Sequence, residues 1–254
     1  MYTEYQPSHL LVPYIDSYWE FKGNPDYGMR IHILPDGCTD FIFTLGEVAN
    51  AVEEGSLIMQ PYRSYFVGPM TKYSELVTYT ESIHMFGVRF LPCGLSCFTN
   101  LPLHEFVNSR VSTNEMKAVF DDTFIEKLGE QKHVTDRIRV VEEYLLAYLA
   151  RHYQPADSHV AMAVNMINHS KGKRSVRSLM DDVCLCQRHF ERKFKHYTGF
   201  TPKEYSRIVK FKNAVELLRT TTSANLLTTA VDAGYYHLAH FSKEIKSMSG
   251  NTPA

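Results

Sequence analysis

The sequence lacks a long apolar segment, a leader-like start and a dense cysteine pattern. No run approaches the roughly 18 apolar residues that a membrane-spanning helix needs. The first ten residues do not show the charged-then-apolar pattern of a secretory signal. The five cysteines, an odd number among 254 residues, fit a reducing cytoplasm better than a disulfide scaffold. We therefore predict a cytoplasmic protein without a membrane segment.

Glycine and proline are also scarce, and neither sign of charge is in large excess. Thirteen Gly and eleven Pro exclude a collagen-like or low-complexity chain, and the 15 Phe and 16 Tyr argue against disorder. The length predicts one or two globular domains. A net charge of −1 would ordinarily argue against a nucleic-acid partner.

The near-zero net charge is, however, the average of two unlike segments, which meet at a turn-prone stretch around Pro155. Residues 1–156 contain 12 Lys and Arg against 20 Asp and Glu, whereas residues 157–254 contain 15 against 8, so the net charges are −8 and +7. This asymmetry favours a protein in which only the C-terminal segment meets an anionic polymer. The alternative is that the two oppositely charged surfaces attract each other, which would let the acidic part dock on the basic part and restrain it.

The basic segment contains an internal repeat with an offset of 51 residues. HFERKFK (189–195) followed by GFTP matches HFSKEIK (240–246) followed by GNTP. A fixed offset indicates one supersecondary unit used twice. In each copy the apolar spacing predicts two short helices, the second of which buries Phe190 and Phe194, or Phe241 and Ile245.

A short helix, a tight turn and a second helix with a basic outer face make the helix-turn-helix motif, whose second helix fits the DNA major groove. We predict the first motif at about 175–197 and the second at about 223–248. A long amphipathic helix at about 202–219 connects them. Ser175 and Ser223 are the predicted N-caps of the first helix of each motif.

These residues resemble the C-terminal DNA-binding domain of the AraC/XylS family of bacterial transcription regulators. The resemblance covers residues 157–254 and includes the linker pattern Tyr205, Lys210, Ala214 and Leu218. It implies a sequence-specific regulator, commonly an activator, with double-stranded promoter DNA and RNA polymerase as partners. By this resemblance the base-edge positions are Arg188, Glu191 and Arg192 in the first recognition helix and Ala239, His240 and Lys243 in the second.

The chemistry of these side chains fits DNA recognition. Arg188 or Arg192 can form two bonds to guanine, and Glu191 can accept one from cytosine. Other outward-facing residues suit phosphate or rim contacts, since they are polar or cationic. These are Gln187, Lys195, Ser242 and Lys246. For any single exposed lysine, a solvated surface charge is the alternative interpretation.

The sequence departs from the family pattern at two helix starts. Cys186 and His237 stand where the family usually has Ser and Asp or Asn as N-caps, and such replacements cost about 1 kcal/mol each. Met180 stands where Ala is usual. We expect both recognition helices to begin without a side-chain cap.

The pattern of residues 1–112 in the acidic segment predicts short strands. FIFTL at 41–45 follows a turn, and Phe86, Val88 and Phe90 alternate with other residues so that they share one face of a strand. ILPDGCTDFIFTLG and GVRFLPCGL resemble the cupin-like β-barrel sensor domain of one AraC subfamily, which implies an unknown small-molecule effector. Trp19 and Arg89 are weak candidates for effector contact, with core packing as the alternative.

Residues 113–156 predict a helical segment. Ile138, Val141, Leu145, Tyr148 and Leu149 lie near one stripe, so the helix either packs on the barrel or pairs with its copy in a homodimer. The family resemblance favours the homodimer. The predicted fold is thus a two-domain α+β protein: a cupin-like β-barrel at 1–112, a helical linker and dimerisation segment at 113–156, and an all-α DNA-binding domain at 157–254.

Enzymatic chemistry has weak support. His32 and His84 are isolated, and neither Cys93-x3-Cys97 nor Cys184-x-Cys186 has the spacing of a zinc site. Acidic neighbours would raise the pKa of Cys38 rather than activate its thiol. We predict no metal, no cofactor and no catalytic site. One alternative is a metabolite-binding or enzymatic barrel with a helical interaction module, and another is a DNA binder whose barrel only dimerises.

Overall fold

The computed structural model describes residues 1–46, 58–78, 81–116, 119–120, 122–183, 185–220 and 226–253. Strands dominate the N-terminal part and helices the C-terminal part, which confirms the predicted α+β class. Within these ranges no helix is long and apolar enough to cross a membrane.

The strands of the described residues form two antiparallel sheets. They are β1 (Tyr2–Tyr5), β2 (Ile15–Gly23), β3 (Met29–Ile33), β4 (Thr39–Thr44), β5 (Ser64–Val67), β6 (Ser74–Thr78), β7 (Ile83–Phe90) and β8 (Arg110–Ser112). The larger sheet has the order β1-β2-β7-β4-β5-β8, and β3 pairs with β6 in the smaller one. Alternation along the central strands gives each face its own apolar cluster.

One face of the large sheet packs against helices α1 (Asp122–Gly129) and α2 (Val134–His152). Phe41, Phe43 and Phe86 are fully buried there beneath Val141 and Leu145 of α2. The whole predicted stripe of α2 belongs to this core. The structure therefore shows the first of the two alternatives for this helix, packing on the sheet, and a dimer would have to use a different surface.

A buried arginine anchors α2 to that sheet. Arg137 is 5% exposed, donates from Nη1 to Glu20 Oε1 at 3.2 Å and donates from Nε to the Leu128 carbonyl at 3.3 Å. His84 Nε2 lies 2.8 Å from the same Glu20 oxygen. Removing one member of such a buried ion pair lowers the free energy of unfolding, because the charge of the other member stays buried without a partner.

The opposite face of the large sheet meets the small sheet. Trp19, Ile42 and Met85 pack there with Leu76 of β6 and Ile31 of β3. The two sheets thus enclose a second apolar cluster. A closed cupin-like barrel remains a prediction.

Six helices form the C-terminal part of the described chain. They are α3 (Ser158–His169), α4 (Val176–Val183), α5 (Gln187–Thr198), α6 (Pro202–Thr220), α7 (Leu226–Asp232) and α8 (Leu238–Ser249). The predicted inward residues Phe190, Phe194 and Phe241 are fully buried, and Ile245 is 4% exposed. The first motif corresponds to α4 and α5, the connecting helix to α6, and the second motif to α7 and α8.

The helix starts follow the predicted capping chemistry. The Ser175 hydroxyl accepts from Ser178 N at 3.1 Å, and at α6 Thr201 and Glu204 form a reciprocal capping box. Cys186 and His237 stand at the N-caps of α5 and α8, and neither makes a side-chain capping bond, as predicted. The predicted cap Ser223 lies outside the described residues, as does Cys184.

Candidate nucleic-acid interface

The first recognition helix, α5, presents a polar and basic outer face. Gln187, Arg188, Arg192 and Lys195 are exposed, whereas Glu191 is half-buried. Gln187 Nε2 donates to Glu191 Oε1 at 2.9 Å, so these two side chains restrain each other along the helix. All five predicted DNA contacts of α5 therefore share one outward face.

The second recognition helix, α8, has the equivalent face. Ala239, His240, Lys243 and Lys246 are exposed, and Ser242 is half-buried. The opposite face holds the buried Phe241 and Ile245. The exposed His240 also packs edge-on against the buried ring of Tyr235, at 5.5 Å between ring centres. The repeat seen in the sequence thus becomes two helices with matching inner and outer faces.

The linker helix α6 fixes the second motif. The Arg207 guanidinium donates two hydrogen bonds to the Glu244 carboxylate of α8, each 3.0 Å long. Lys210 Nζ donates to the Gly234 carbonyl at 3.3 Å and lies 5.5 Å from the centre of the Tyr235 ring. Burial lowers the pKa of Lys210. Lys210, the basic residue of the linker pattern, therefore binds the turn of the second motif through its hydrogen bond to Gly234.

A long-range ion pair fixes the first motif. Asp157 caps α3 by accepting from His159 N and Val160 N at 3.1 and 3.2 Å, and it pairs with Lys193 of α5 at 2.6 Å. Burial alone would raise the pKa of the Asp157 carboxyl, but Lys193 and the backbone N–H of Val160 lower it overall. Asp157 thus connects the start of the helical part to the first recognition helix.

One loop of the N-terminal part contacts the ends of both recognition helices. Gly199 and Gly250, which are 51 residues apart, end α5 and α8 in the left-handed conformation with φ of 84° and 76°. A Cβ atom on Gly199 would lie 2.5 Å from Pro69 Cγ, and one on Gly250 would lie 2.7 Å from Tyr73 Cζ. Pro69 and Tyr73 both belong to the segment between β5 and β6.

A short 3₁₀ turn at Leu103–Phe106 adds to the contact with α5. The rings of His104 and His196 lie 6.4 Å apart across this boundary. Burial and the neighbouring His104 lower the pKa of His196. Among the residues that the structure describes, the acidic segment contacts α5 and α8 through apolar and histidine side chains at the helix ends and leaves their outer faces uncovered.

Trp19 and Arg89, the two weak candidates for effector contact, lie on either side of Asp40. Trp19 Nε1 donates to Asp40 Oδ1 at 2.7 Å, and Arg89 Nε lies 3.3 Å from the same oxygen. Arg89 also pairs with Glu4 and Asp36. Three carboxylates therefore already surround this guanidinium.

Three kinds of contact at this site were not predicted from the sequence. An acidic residue directly before a helical pattern signals an N-cap, so the capping role of Asp157 was detectable. The pairs Arg207–Glu244 and Asp157–Lys193 join residues 37 and 36 positions apart, for which a single sequence carries no signal. The contacts of the β5–β6 segment with Gly199 and Gly250 likewise depend on the tertiary arrangement.

Two helix-turn-helix motifs held by one linker helix, each with an open basic face, define a DNA-binding domain. Comparison with known proteins agrees with this class. Residues 179–254 match the family described as a helix-turn-helix domain, and residues 3–112 match a family described as a domain of unknown function (DUF6597). No curated protein matches the chain in sequence.

The fold is similar to that of ToxT from Vibrio cholerae. One ToxT crystal structure is 9% identical over 94% of this chain and 97% of ToxT, with a TM-score of 0.54. A second, with an unsaturated fatty acid bound, is 11% identical over 94% of each chain, with a TM-score of 0.52. The protein is a DNA-binding transcription regulator that combines a C-terminal helix-turn-helix domain with an N-terminal sheet domain.

Proposed function

We propose that this regulator recognises a bipartite promoter sequence through the ten residues of α5 and α8 identified above. Arg188, Glu191 and Arg192 contact base edges in one major groove, and Ala239, His240 and Lys243 do so in the next. The polar residues around them contact phosphates. The observation that carries the proposal is the pair of matching outer faces, on which eight of the ten side chains are exposed.

The regulatory role extends this proposal. The chain acts in the cytoplasm as a transcription activator that contacts RNA polymerase, has no catalytic activity, and forms a homodimer through a surface other than the buried stripe of α2. A small molecule bound by the N-terminal part controls it. Support for such an effector comes from ToxT, which has the same fold and has been seen with an unsaturated fatty acid bound.

Selection from a random DNA library with the full chain tests the recognition. We expect two conserved blocks about 10 base pairs apart, one for each recognition helix. Arg192→Ala should cost about 1–3 kcal/mol in affinity and relax the preference at one base pair of the first block. Lys243→Ala should act on the second block. Arg139→Ala, an exposed substitution on α2, serves as the matched control and should leave both blocks unchanged.

Salt dependence tests the electrostatic part. Neutralising several phosphates releases counterions, so affinity should fall steeply between 50 and 200 mM salt, by roughly a thousandfold or more for six or more phosphate contacts. An affinity that does not change with salt, or a selection that yields no conserved sequence, would contradict the proposal. Equal loss on all sequences for Arg192→Ala would reassign that residue to phosphate contact.

A further inference from the structure

A cleft of about 370 Å³ lies between the sheet domain and the helical domain. This volume is within the roughly 300–1,000 Å³ range of small-molecule sites. Asp16, Asp36 and Cys38 line it on the sheet side, and Lys171, Lys212 and Asn213 on the helical side. Tyr205 and Val209 of α6 add apolar surface, so the cleft combines a few charged groups with an apolar wall.

Asn213, which lines this cleft, has a side-chain donor without a hydrogen-bond partner in the described part of the chain. The residue is 6% exposed, and its Nδ2 atom is buried without a hydrogen-bond partner among the described residues. A buried amide without a partner costs about 1–3 kcal/mol, and native proteins keep few such groups. An acceptor atom of a molecule in the cleft would satisfy it.

The two sides of the cleft differ in net charge. The sheet side carries the carboxylates of Asp16 and Asp36, and the helical side carries the ammonium groups of Lys171 and Lys212. Within the described ranges no ion pair joins the two sides. Asp36 is held in place by Arg89 at 3.4 Å and by the backbone N–H of Cys38 at 2.8 Å. Glu216, exposed on the helical side, adds one carboxylate there, so the helical side keeps a net positive charge.

We propose that this cleft binds a free amino acid, whose ammonium group faces Asp16 and Asp36 and whose carboxylate faces Lys212, Lys171 and Asn213 Nδ2. A zwitterion places a charge of opposite sign against each side of the cleft and supplies an acceptor for Asn213. The inference rests on the proposed function, since Lys212 and Asn213 lie on the helix that carries both recognition motifs. A bound ligand would bridge the sheet domain and this helix.

Calorimetric titration of the full chain with each of the twenty common L-amino acids tests the proposal. At least one should bind and raise the melting temperature. For that amino acid, the matched acid without the amino group and the matched amine without the carboxylate should each bind at least tenfold more weakly, because each lacks one charge-assisted contact. An analogue with one charge that binds equally well would overturn the proposal, as would a lack of binding by all twenty at 10 mM.

Two substitutions locate the site. Lys212→Met removes an exposed charge at nearly constant length, and Asn213→Leu removes the unpaired donor. Each should weaken binding about tenfold or more. Lys203→Met, at an exposed position near the start of the same helix, is the control and should bind normally. If Asn213→Leu does not fold, the binding measured for Lys212→Met tests the proposal by itself. Unchanged amino-acid binding by Lys212→Met would place the ligand elsewhere and overturn the proposal.

DNA binding by the same preparations separates this inference from the proposed function. Loss of amino-acid binding by Lys212→Met with normal selection of the bipartite DNA site supports both. Amino-acid binding at the cleft by a chain that selects no DNA sequence would refute the proposed function and leave the ligand site standing.

Discussion

The ring of Tyr205, on the linker helix, packs directly on Gly37 in the turn between β3 and β4. A Cβ atom on Gly37 would lie only 2.7 Å from Tyr205 Cε2, and Gly37 has a φ of 86° that disfavours other residues. Tyr205 also donates from its hydroxyl to Asn168 Oδ1 at 2.9 Å. Tyr205, one residue of the linker pattern, therefore joins α6, α3 and the sheet domain.

Tyr205→Ala should destabilise the chain by about 3–5 kcal/mol, because it removes a buried aromatic ring from the contact between the two parts. Tyr205→Phe keeps the ring and should cost only about 1 kcal/mol for the hydrogen bond to Asn168. Urea unfolding measures both, with the exposed Tyr153→Phe as the control. Equal effects of the two Tyr205 substitutions would contradict the packing role.

The helical part was largely predictable because its information is local. The 51-residue repeat, the apolar spacing of Phe190 and Phe194 and the capping signals at Ser175 each involve residues within a few turns of one another. For the linker helix, the predicted range 202–219 differs from α6 (Pro202–Thr220) by one residue. The ten outward residues of α5 and α8 follow from the same periodicity, and their role in DNA contact stays a prediction.

The sheet domain and the boundary between the domains were less predictable because they depend on pairing between distant strands. β2 pairs with β7 and β3 with β6, across gaps that alternation alone cannot assign. The charge difference between the two segments also did not predict which residues make the contact between them. The −8 and +7 segments do meet, but Tyr205 on Gly37 and Pro69 beside Gly199 are packing contacts that net charge does not encode.

Cys186→Ser should stabilise the protein by about 1 kcal/mol. Cys186 is exposed, its backbone already has the extended conformation of an N-cap with φ −65° and ψ 142°, and its side chain makes no capping bond. A serine hydroxyl there can accept from a free backbone N–H of α5. Thermal and urea unfolding measure the gain. Cys186→Ala, which supplies no acceptor, is the control, and an equal gain from it would contradict the capping explanation.

Asp157→Asn should destabilise the chain by about 1 kcal/mol at neutral pH, because asparagine can still cap α3 but loses the charge that pairs with Lys193. The folded-state pKa of Asp157 is lowered from 3.8, so the unfolded chain binds the proton more readily. The stabilisation is present above 3.8 and is lost as the pH falls below it. Urea unfolding at pH 7 and pH 3 should therefore show a difference between variant and wild type that shrinks in acid. The exposed Asp181→Asn is the control and should show no such change.

His196 should make the contact between the domains sensitive to mildly acidic pH. Burial and the neighbouring His104 lower the pKa of His196 below 6.5, so the folded state takes up its proton less readily than the unfolded state. The free energy of unfolding therefore begins to decrease as the pH falls through 6.5, and the decrease is complete below the folded-state pKa of His196. Glu105 opposes this shift without reversing it.

His196→Gln keeps a polar side chain of similar size at the end of α5 and cannot be protonated. The variant should lose less unfolding free energy than the wild type between pH 8 and pH 5.5. Hydrogen-exchange protection near Leu103–Phe106, taken relative to the intrinsic exchange rate at each pH, should fall in acid only in the wild type. His104→Gln should give an intermediate result, since it removes the second cause of the shift but leaves His196 buried. His9→Gln, an exposed histidine near the N-terminus, is the matched control. Identical pH profiles for His196→Gln and the wild type would show that this histidine does not set the strength of the contact.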